Sequence, residues 1–354
     1  MTATALHDTL ASASAHLSEY SGAATAADFG DVQAEFQALV ADVGVYDLGW
    51  RAKIGVSGAD RTRWLNGMTT NNVRDLAAGR GLYAFLLNSQ GRILADLYAY
   101  NRGSSLLVDT DQSQVGKVLE IFDHYIIMDD VEVAINEQLT AIGIAGPKAR
   151  EVLRTASVEF PELAPLQCHD LIWRNTELTL VRGDIPTIEC NELWLAPANV
   201  KSVWDALVKA GAKPVGTAAL ELLRIASGIP RYGQDIREKD LPQETGQQRA
   251  LHFTKGCYIG QEIVERIRSR ANVHRSFTGF EVRGPLPDPG SKIQADGKDV
   301  GEITSAASLP AAGGEYSVAL GYLRREAALP GKQLRAGSAM AIVANLPFAE
   351  VFKH

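Results

Sequence analysis

The clearest pattern of apolar and polar positions lies in the first third of the chain. Two apolar-rich runs, residues 82–88 and 91–100, are joined through Ser89-Gln90, and a third run at 106–109 follows after a turn. Runs of this length with aromatic residues, bounded by Gly, Ser and Asn, are typical of β-strands. The pattern therefore predicts an antiparallel hairpin extended by a third strand.

The predicted hairpin brings a carboxylate close to a phenol. If Ser89-Gln90 is a two-residue loop, Asn88 pairs with Gly91. Counting back from that pair sets Tyr83 opposite Asp96, with the two Cβ atoms roughly 5 Å apart on one face. An acid among aromatic side chains suits a planar, nitrogen-rich ligand that stacks on tyrosine. The alternative is that Asp96 points to water on an edge strand. The same predicted face carries Phe85, Leu94, Tyr98 and Tyr100.

Helical and strand periodicities alternate in the rest of the first 230 residues. The helix pattern begins at Asp31, a good N-cap, whereas residues 1–30 show little periodicity and are predicted to be a loosely structured lead-in. The predicted helices span about 32–43, 60–66, 111–122, 147–155, 197–210 and 217–224, and the further strands span 52–56, 125–127, 131–135, 142–145, 176–182 and 192–195.

The texture changes from Val273 onward. Short apolar strands are separated by Gly and Pro, and Asp296-Gly297 is a strong signal for a β-hairpin. The C-terminal region therefore predicts a small all-β barrel or sandwich. The predicted strands cover 279–282, 291–295, 299–305, 316–323 and 339–344.

Composition limits the class of protein. The 354 residues suffice for two or three domains, and 46% hydrophobic with 22% charged residues is ordinary for a globular chain. The net charge of −7 argues against a general nucleic-acid or membrane-surface binder. The N-terminus does not resemble a signal peptide, and no apolar stretch approaches transmembrane length. We therefore expect a cytoplasmic protein without membrane contact.

The three cysteines do not form a recognisable metal or disulfide framework. Cys168, Cys190 and Cys257 are odd in number, far apart and without a CxxC pair. This spacing predicts neither a zinc ribbon nor a site that holds an iron–sulfur cluster, so no metal site is expected. It fits a reducing compartment.

One cysteine stands in a distinctive octapeptide, Lys-Gly-Cys-Tyr-Ile-Gly-Gln-Glu, at positions 255–262. A helix is predicted to begin at about Gly260, so Cys257 lies just before a helix N-terminus and two residues from Lys255. The partial positive charge of the helix and the nearby ammonium both favour a reactive thiolate. A small buried thiol beneath Tyr258 is an equally good interpretation on chemistry alone.

The octapeptide resembles the hallmark of the YgfZ-type folate-binding proteins, a branch of the glycine-cleavage T-protein (aminomethyltransferase) superfamily linked to iron–sulfur protein maintenance. Its matching residues are Lys255, Gly256, Cys257, Tyr258, Gly260, Gln261 and Glu262, and further matches run from about Val43 to Thr304. The resemblance implies an α+β, T-protein-like ring of three domains. Two mixed α/β domains with antiparallel sheets are followed by a C-terminal all-β barrel.

The resemblance also implies domain boundaries. The first α+β domain is discontinuous and comprises residues 1–50 and 137–245, and the second, with the central hairpin, comprises 51–136. Residues 246–272 hold the connecting octapeptide segment and its helix, and 273–354 form the barrel domain.

The resemblance further assigns roles to individual residues. The segment from Leu82 to Asp96 is similar to the T-protein segment whose tyrosine and second aspartate hold the pterin, which implies these roles for Tyr83 and Asp96. Asp96 would also be the catalytic acid. Glu192 matches the glutamate that grips the pterin ring nitrogens. Asp109 stands at a ligand-binding position that is usually Asn.

Two positions depart from the T-protein pattern. Ala95 replaces the first of two adjacent aspartates, and Leu220 stands where an arginine contacts the folate. Both departures count against the T-protein reaction itself.

The first functional hypothesis is a tetrahydrofolate-binding accessory protein that supports iron–sulfur proteins and so affects tRNA modification indirectly. Tetrahydrofolate or a one-carbon derivative would be its cofactor, iron–sulfur client or assembly proteins its partners, and Cys257 its reactive thiol. The alternative is a folate-dependent aminomethyltransferase with Asp96 as acid and base.

An arginine cluster follows the octapeptide. We hypothesise that Lys255 with some of the arginines holds the glutamate tail of folate, although a solvated helix face explains the cluster equally well. Direct RNA binding through these arginines is disfavoured by the acidic net charge. The arginines are Arg266, Arg268, Arg270 and Arg275.

Overall fold

Antiparallel strand pairing dominates the computed structural model, which describes residues 2–270, 273–311 and 314–353, without the side chain of Arg270. The chain divides into two units. Unit 1 comprises Met1–Gly67, Asn71–Ala84 and Leu97–Leu220. Unit 2 comprises Met68–Thr70, Phe85–Asp96 and Glu221–His354.

The helices and strands alternate through the first 226 residues, with short 3₁₀ turns between some of them. In chain order they are β1 (Thr2–Ala3), α1 (His7–Ser12), β2 (His16–Tyr20), β3 (Ala23–Asp28), α2 (Val32–Ala41), β4 (Gly44–Asp47), β5 (Arg51–Ser57), α3 (Arg61–Met68), β6 (Arg80–Leu87), β7 (Ile93–Asn101), β8 (Leu106–Asp111), α4 (Val115–Tyr125), β9 (Glu132–Ile135), β10 (Thr140–Ala145), α5 (Ala149–Thr155), β11 (Cys168–Trp173), β12 (Thr176–Arg182), β13 (Cys190–Leu195), α6 (Val200–Lys209), β14 (Lys213–Pro214) and α7 (Thr217–Ala226).

These strands form three sheets. A six-stranded sheet has the order β11-β12-β13-β10-β4-β14, and a five-stranded sheet has the order β6-β7-β8-β5-β9. A three-stranded sheet has the order β1-β3-β2. One face of the six-stranded sheet carries buried Leu180, Leu193 and Leu195, which pack with Trp204 and Leu207 of α6 in one core cluster. The amphipathic pattern of α6 therefore predicts its buried face correctly.

The first 30 residues are ordered, so the prediction of a loosely structured lead-in is wrong. They contain three short strands and a helix. Leu6 and Leu10 are fully buried and belong to the core cluster of the six-stranded sheet, and Ala26 of β3 packs with them. Small alanine side chains bury little area each, which is why the hydrophobic pattern of this segment is weak. The cap of α2 is as predicted, since the Asp31 carboxylate accepts from the Ala34 N–H.

The strand predicted at 125–127 is also wrong. Tyr125 ends α4, and the following residues form bends rather than a strand. Ile127 and Met128 are 80% and 94% exposed. A short apolar run forms a strand only when it pairs with a neighbouring strand, and this run does not belong to a sheet.

The hairpin between β6 and β7 closes differently from the prediction. The Asn88 N–H donates to the Arg92 carbonyl at 3.0 Å, and the Gly91 N–H donates to the Asn88 carbonyl at 2.9 Å. Gly91 lies in the left-handed region at φ +70°, so the loop has three residues and a glycine bulge. The Asn88 side chain stabilises this loop by accepting from the backbone of Gln90 and Arg92. The predicted pairing of Asn88 with Gly91 is therefore wrong. The prediction that Tyr83 lies opposite Asp96 is counted from that pair, so it no longer follows.

Unit 2 contains a closed six-stranded barrel in the order β15-β18-β17-β16-β19-β20. The Asp296-Gly297 turn joins β16 to β17, as predicted, with both residues at positive φ and Ala295 paired with Lys298. The helix and strands of this region are α8 (Gln261–Arg270), β15 (Arg275–Arg283), β16 (Lys292–Ala295), β17 (Lys298–Ala311), β18 (Gly314–Arg324), β19 (Gln333–Ala336) and β20 (Ala339–Ala344).

A buried carboxylate links the segment after α7 to the barrel. Asp235 is fully buried and accepts hydrogen bonds from Arg224, Thr304 and Ser305. The Arg231 backbone N–H donates to the same carboxylate. Because every lone-pair direction of the carboxylate meets a donor, the charge is stabilised inside the unit.

The predicted fold class is confirmed. Among the strand pairs of the described residues, all are antiparallel apart from the short pairs β1–β3 and β4–β14. Helices lie among the sheets, and the C-terminal barrel is closed. Within the part of the chain that the structure describes, no helix is long and apolar enough to cross a membrane.

Candidate functional site

Four aromatic side chains form a row of ring-to-ring contacts in unit 1. The Tyr83 and Tyr98 rings are 5.0 Å apart, and Tyr98 stacks with Tyr100 at 6.4 Å. Tyr100 and Trp194 pack edge to face, with their ring centroids 4.8 Å apart and their ring planes at 90°. Tyr98 and Tyr100 share a face because they are two positions apart on β7.

Glu192 extends this group with a carboxylate. It lies on β13 two positions before Trp194, and the Trp194 indole N–H donates to its Oε2 at 2.7 Å. Glu192 itself is half-buried. Tyr83, Tyr98, Tyr100, Trp194 and Glu192 are together called the aromatic–carboxylate cluster below.

A glycine makes room beside Glu192. Gly143 of β10 is the register partner of both Tyr46 and Glu192. A Cβ atom at Gly143 would lie 1.9 Å from the Tyr46 ring, so a larger residue would displace that tyrosine. Burial raises the pKa of Tyr46, and the nearby Glu192 carboxylate adds to this shift. Tyr46 therefore stays protonated as a neutral neighbour of the carboxylate.

Two cations and two carboxylates lie on adjacent strands β5 and β8. Asp109 is buried and accepts from Arg51 at 3.0 Å through Oδ1, and its Oδ2 lies 2.9 Å from the Lys53 ammonium. Arg51 also pairs with Asp111 at 2.8 Å. Burial alone would lower the pKa of Arg51, but Asp109 and Asp111 raise it well above its usual value. The group is thus a fixed, balanced set of charges.

The charged group and the aromatic–carboxylate cluster are in contact. The Arg51 guanidinium lies 5.4 Å from the Tyr98 ring centroid, and the Lys53 ammonium lies 5.0 Å from that of Trp194. The Tyr98 hydroxyl donates to Asp184 at 3.2 Å. Such an arrangement can stack a flat ring and accept its N–H groups on a carboxylate.

The predicted residues are distributed over both units. Tyr83, Asp109 and Glu192 belong to unit 1, whereas Asp96 and the octapeptide belong to unit 2. Within unit 2, the Tyr232 hydroxyl donates to the Leu94 carbonyl, two positions before Asp96. Burial, and then the charges of Glu238 and Asp96, raise the pKa of Tyr232. Tyr232 is therefore a neutral phenol in the surroundings of Asp96.

The octapeptide is anchored by its lysine and presents its cysteine. The Lys255 ammonium is buried, donates to the Thr69 carbonyl at 2.6 Å and lies 5.1 Å from the Tyr258 ring centroid. Cys257 is exposed, so its interpretation as a buried thiol beneath Tyr258 is wrong. The Gln261 side chain accepts from the Tyr258 backbone N–H, and α8 begins at Gln261, next to the predicted start at Gly260.

A second anchor is backbone packing between two loops. Gly260 has φ +81°, and a Cβ atom there would lie 2.6 Å from the Asn88 carbonyl oxygen. In return, a Cβ at Gly91 would lie 2.9 Å from the Ile263 side chain. The octapeptide is therefore docked against the tip of the β6–β7 hairpin by close approach of glycines.

The arginines that follow the octapeptide have local partners. Arg268 stacks over Phe253 at 4.4 Å and lies 3.5 Å from Glu265. Arg275 pairs with Asp240 and Glu244. Arg266 is exposed, and the side chain of Arg270 lies outside the described residues.

A cleft in unit 1 reaches the edge of this site. A cleft of about 920 Å³ in unit 1 is bordered by Trp194 but not by Tyr83, Asp109 or Glu192. In the wall of this cleft, Arg102 and Thr179 both donate hydrogen bonds to the Asp170 carboxylate. Among the residues described, no group of three or more His, Cys, Asp or Glu side chains could hold a metal ion.

Sequence reasoning missed three members of the site. Arg51 and Lys53 alternate with apolar residues on β5, a pattern that usually marks a solvated strand face. The sequence pattern of β13 marks Trp194 only as an apolar strand residue. The available signal was period two: Trp194 shares the face of Glu192, and Lys53 is the register partner of Asp109.

Two family profiles match the chain. Residues 6–255 match the GCVT N-terminal domain, and residues 274–349 match the CAF17 C-terminal beta-barrel domain. The first match covers well over half of the chain, and the second covers the closed barrel.

Individual proteins show the same relationship. The chain is 28% identical over 308 residues to a chloroplastic protein of Arabidopsis thaliana that is provisionally named a transferase, covering 86% of this chain and 71% of that one. It is 27% identical to an aminomethyltransferase of Picosynechococcus, covering 99% and 98%. The structure of the glycine cleavage system aminomethyltransferase T from Bartonella henselae superposes with a TM-score of 0.90 at 20% identity, over 99% of this chain and 98% of that one. This superposition shows that the chain has the same fold.

Proposed function

We infer the function from the family: the chain belongs to the GCVT family, and we propose that it binds tetrahydrofolate or a one-carbon derivative of it. The observation that carries the proposal is the Glu192 carboxylate, to which the Trp194 indole N–H donates at 2.7 Å. The same indole contacts Tyr100, which is followed by Tyr98 and Tyr83 in a row of ring contacts. The name aminomethyltransferase belongs to several relatives, and folate use is proposed here for this chain by that relationship.

The aromatic–carboxylate cluster has the chemistry that a pterin ring requires. A carboxylate can accept paired hydrogen bonds from a ring N–H and an exocyclic amine. Glu192 is half-buried, so its carboxylate is reachable while its orientation is fixed. Of the three tyrosines, Tyr98 is half-buried and offers aromatic surface for stacking, whereas Tyr83 and Tyr100 are buried. Glu192 is therefore the proposed carboxylate contact in unit 1, and Tyr83 is proposed as a contact by the resemblance.

Asp109 is proposed to act indirectly. Both of its oxygens face cations, Arg51 and Lys53, and the residue is 1% exposed. A ligand would have to displace one of these cations to reach it. We propose that Asp109 keeps the two cations beneath Tyr98 and Trp194 in place.

We further propose an accessory role that supports iron–sulfur proteins, with an indirect effect on tRNA modification. The octapeptide that resembles the YgfZ hallmark presents Cys257 to solvent and holds its own lysine inside. The barrel matches the CAF17 C-terminal domain, and Ala95 and Leu220 depart from the T-protein pattern. Cys257 is the proposed point of contact with a client or assembly protein.

The second candidate function is a folate-dependent aminomethyltransferase. It is favoured by similarity to aminomethyltransferases along nearly the whole chain and by the presence of Asp96. Asp96 would then move a proton to or from the substrate amine, for which a carboxyl group is suited.

Binding is tested by anaerobic calorimetry with tetrahydrofolate. The wild type is expected to bind, and Glu192→Gln is expected to bind about ten- to a hundredfold more weakly, since a hydrogen bond to a charged group is worth about 1.5–3 kcal/mol. Glu177→Gln is the matched control, because Glu177 is an exposed glutamate on the adjacent strand β12. Absence of binding to the wild type would reject the proposal.

Two assays separate the two functions. Complementation of an iron–sulfur-enzyme defect should fail with Cys257→Ala if the accessory role is correct. Ammonia release from an aminomethyl-lipoyl carrier in the presence of tetrahydrofolate should be absent. Robust turnover that requires Asp96 but not Cys257 would establish the transferase instead.

A further inference from the structure

Lys53 is a fully buried cation. Its side chain is 0% exposed, and its ammonium lies 2.9 Å from Asp109 Oδ2 on the adjacent strand. In the described parts of the chain, no acceptor has hydrogen-bond geometry to this ammonium. Its contact with Asp109 is therefore one of charge. A buried ammonium is costly to desolvate and persists only where its surroundings compensate for the lost water.

The second neighbour of this ammonium is an aromatic ring. Its nitrogen lies 5.0 Å from the ring centroid of Trp194, within the range of a cation–π contact. The edge of Tyr100 meets the same indole at 4.8 Å. The indole N–H points to Glu192 at 2.7 Å. The indole is therefore held by a cation, a ring edge and a carboxylate.

We propose that Lys53 is a positioning residue: its buried ammonium fixes the indole of Trp194, and through it the Glu192 carboxylate, in the orientation that accepts a ligand. This inference rests on the proposed folate site. A cation near an aromatic ring draws electron density from it and strengthens its N–H as a donor. Asp109 balances the charge of Lys53, and Arg51 with Asp111 balances the rest of the group.

Lys53 cannot serve as a direct ligand contact in this arrangement. Its side chain has no exposed surface, and its ammonium lies over the ring of Trp194. The effect of Lys53 on a ligand therefore passes through Trp194. This distinguishes it from the half-buried Glu192.

The test replaces Lys53 and Asp109 by uncharged residues of similar volume. In the variant Lys53→Met, Asp109→Asn, both charges of the pair are removed, and Arg51 keeps its partner Asp111. The indole N–H signal of Trp194 is followed by ¹H–¹⁵N NMR and assigned with Trp194→Phe. We expect this signal to move toward that of a free indole and to exchange faster with water.

Trp173 provides an internal control in the same spectrum. Its indole N–H donates to the Ala156 carbonyl at 2.7 Å, elsewhere in unit 1. Its signal should not change. A Trp194 signal that also stays unchanged would overturn the inference. If the double variant does not fold, Lys53→Gln takes its place, because its amide can donate to Asp109 without a positive charge, and the same two outcomes decide.

Ligand affinity gives the second measurement. The double variant is expected to bind tetrahydrofolate about tenfold more weakly, in line with the loss of one desolvated cation–π contact. Wild-type affinity in the double variant would overturn the inference. If the wild type itself does not bind tetrahydrofolate, the proposed function fails, but the indole signal still decides whether Lys53 positions Trp194.

Discussion

The indole N–H of Trp194 lies 2.7 Å from Glu192 Oε2, two positions away on the same strand. This bond occupies one oxygen of the carboxylate and sets the direction of the other. Trp194→Phe keeps a ring against Tyr100 but removes the donor. We expect the affinity for tetrahydrofolate to fall about tenfold, as loss of a hydrogen bond to a charged group predicts, with calorimetry as the measurement.

Trp173→Phe is the matched control for that variant. It also removes a buried indole hydrogen bond of 2.7 Å, to the Ala156 carbonyl, but Trp173 is not part of the aromatic–carboxylate cluster. Its affinity should equal that of the wild type. An equal loss in both variants would mean that general destabilisation, rather than the orientation of Glu192, weakens binding.

The octapeptide depends on close approach at Gly260. Gly260→Ala would place a side chain at φ +81° and a Cβ atom 2.6 Å from the Asn88 carbonyl oxygen. Left-handed backbone is unfavourable for alanine, and a backbone oxygen cannot yield easily. We expect the free energy of unfolding to fall by about 2 kcal/mol or more in urea denaturation.

Gly256→Ala tests the same octapeptide at a position without that constraint. Gly256 is exposed, and a Cβ atom there would meet no heavy atom within 4 Å. Its stability should stay within about 0.5 kcal/mol of the wild type. Equal stability of the two variants would contradict the docking of Gly260 on the hairpin.

The hairpin shows how far the sequence could predict the site. The two strands follow from their apolar runs. However, the same sequence is compatible with a loop of two residues and with a loop of three residues in which Gly91 is in the left-handed region. The choice depends on two hydrogen bonds that the Asn88 side chain accepts from the backbone of Gln90 and Arg92, and periodicity does not report them. A shift of one residue at the loop changes every cross-strand neighbour of Tyr83.

The charges beneath the cluster show a different limit. Lys53 reads as a solvated residue because lysine is almost never fully buried without a partner. Its partner Asp109 is 56 positions away and becomes visible only through the pairing of β5 with β8. The resemblance could assign Tyr83 and Glu192, but long-range pairing was needed to find what holds them.

Asp235 is expected to be essential for the stability of unit 2. Its buried carboxylate accepts from Arg224 and from Thr304 and Ser305 of β17. Asp235→Ala removes the shared acceptor of these three side chains, although Arg224 keeps its salt bridge to Glu221. We expect a loss of about 3 kcal/mol in the free energy of unfolding, since several hydrogen bonds to one buried charge are lost together.

Glu350→Ala is the control for that loss. Glu350 pairs with Lys353 on the surface of the same unit, with both side chains more than half exposed. Exposed pairs contribute less than about 1 kcal/mol. Urea denaturation of both variants should separate them clearly, and similar losses would contradict the role assigned to Asp235.

The three cysteines should differ sharply in reactivity because the thiolate is the reacting form. Burial raises the pKa of Cys168 and of Cys190 to about 11, whereas Cys257 is exposed. Since a raised pKa keeps a thiol protonated below it, about one in a thousand of the buried thiols is ionised at pH 8. Iodoacetamide should therefore label the folded protein once, and peptide mass spectrometry should find the label on Cys257.

Cys257→Ala should then remain unlabelled at pH 8 while folded, and should take two labels in urea, where Cys168 and Cys190 become accessible. Raising the pH toward 11 should increase labelling of the buried pair only as far as the protein opens, because access limits the reaction as well as ionisation. Label on Cys168 or Cys190 of the folded protein at pH 8 would show that unit 1 opens around β11 and β13, and that Cys257 is not the sole reactive thiol that the accessory role requires.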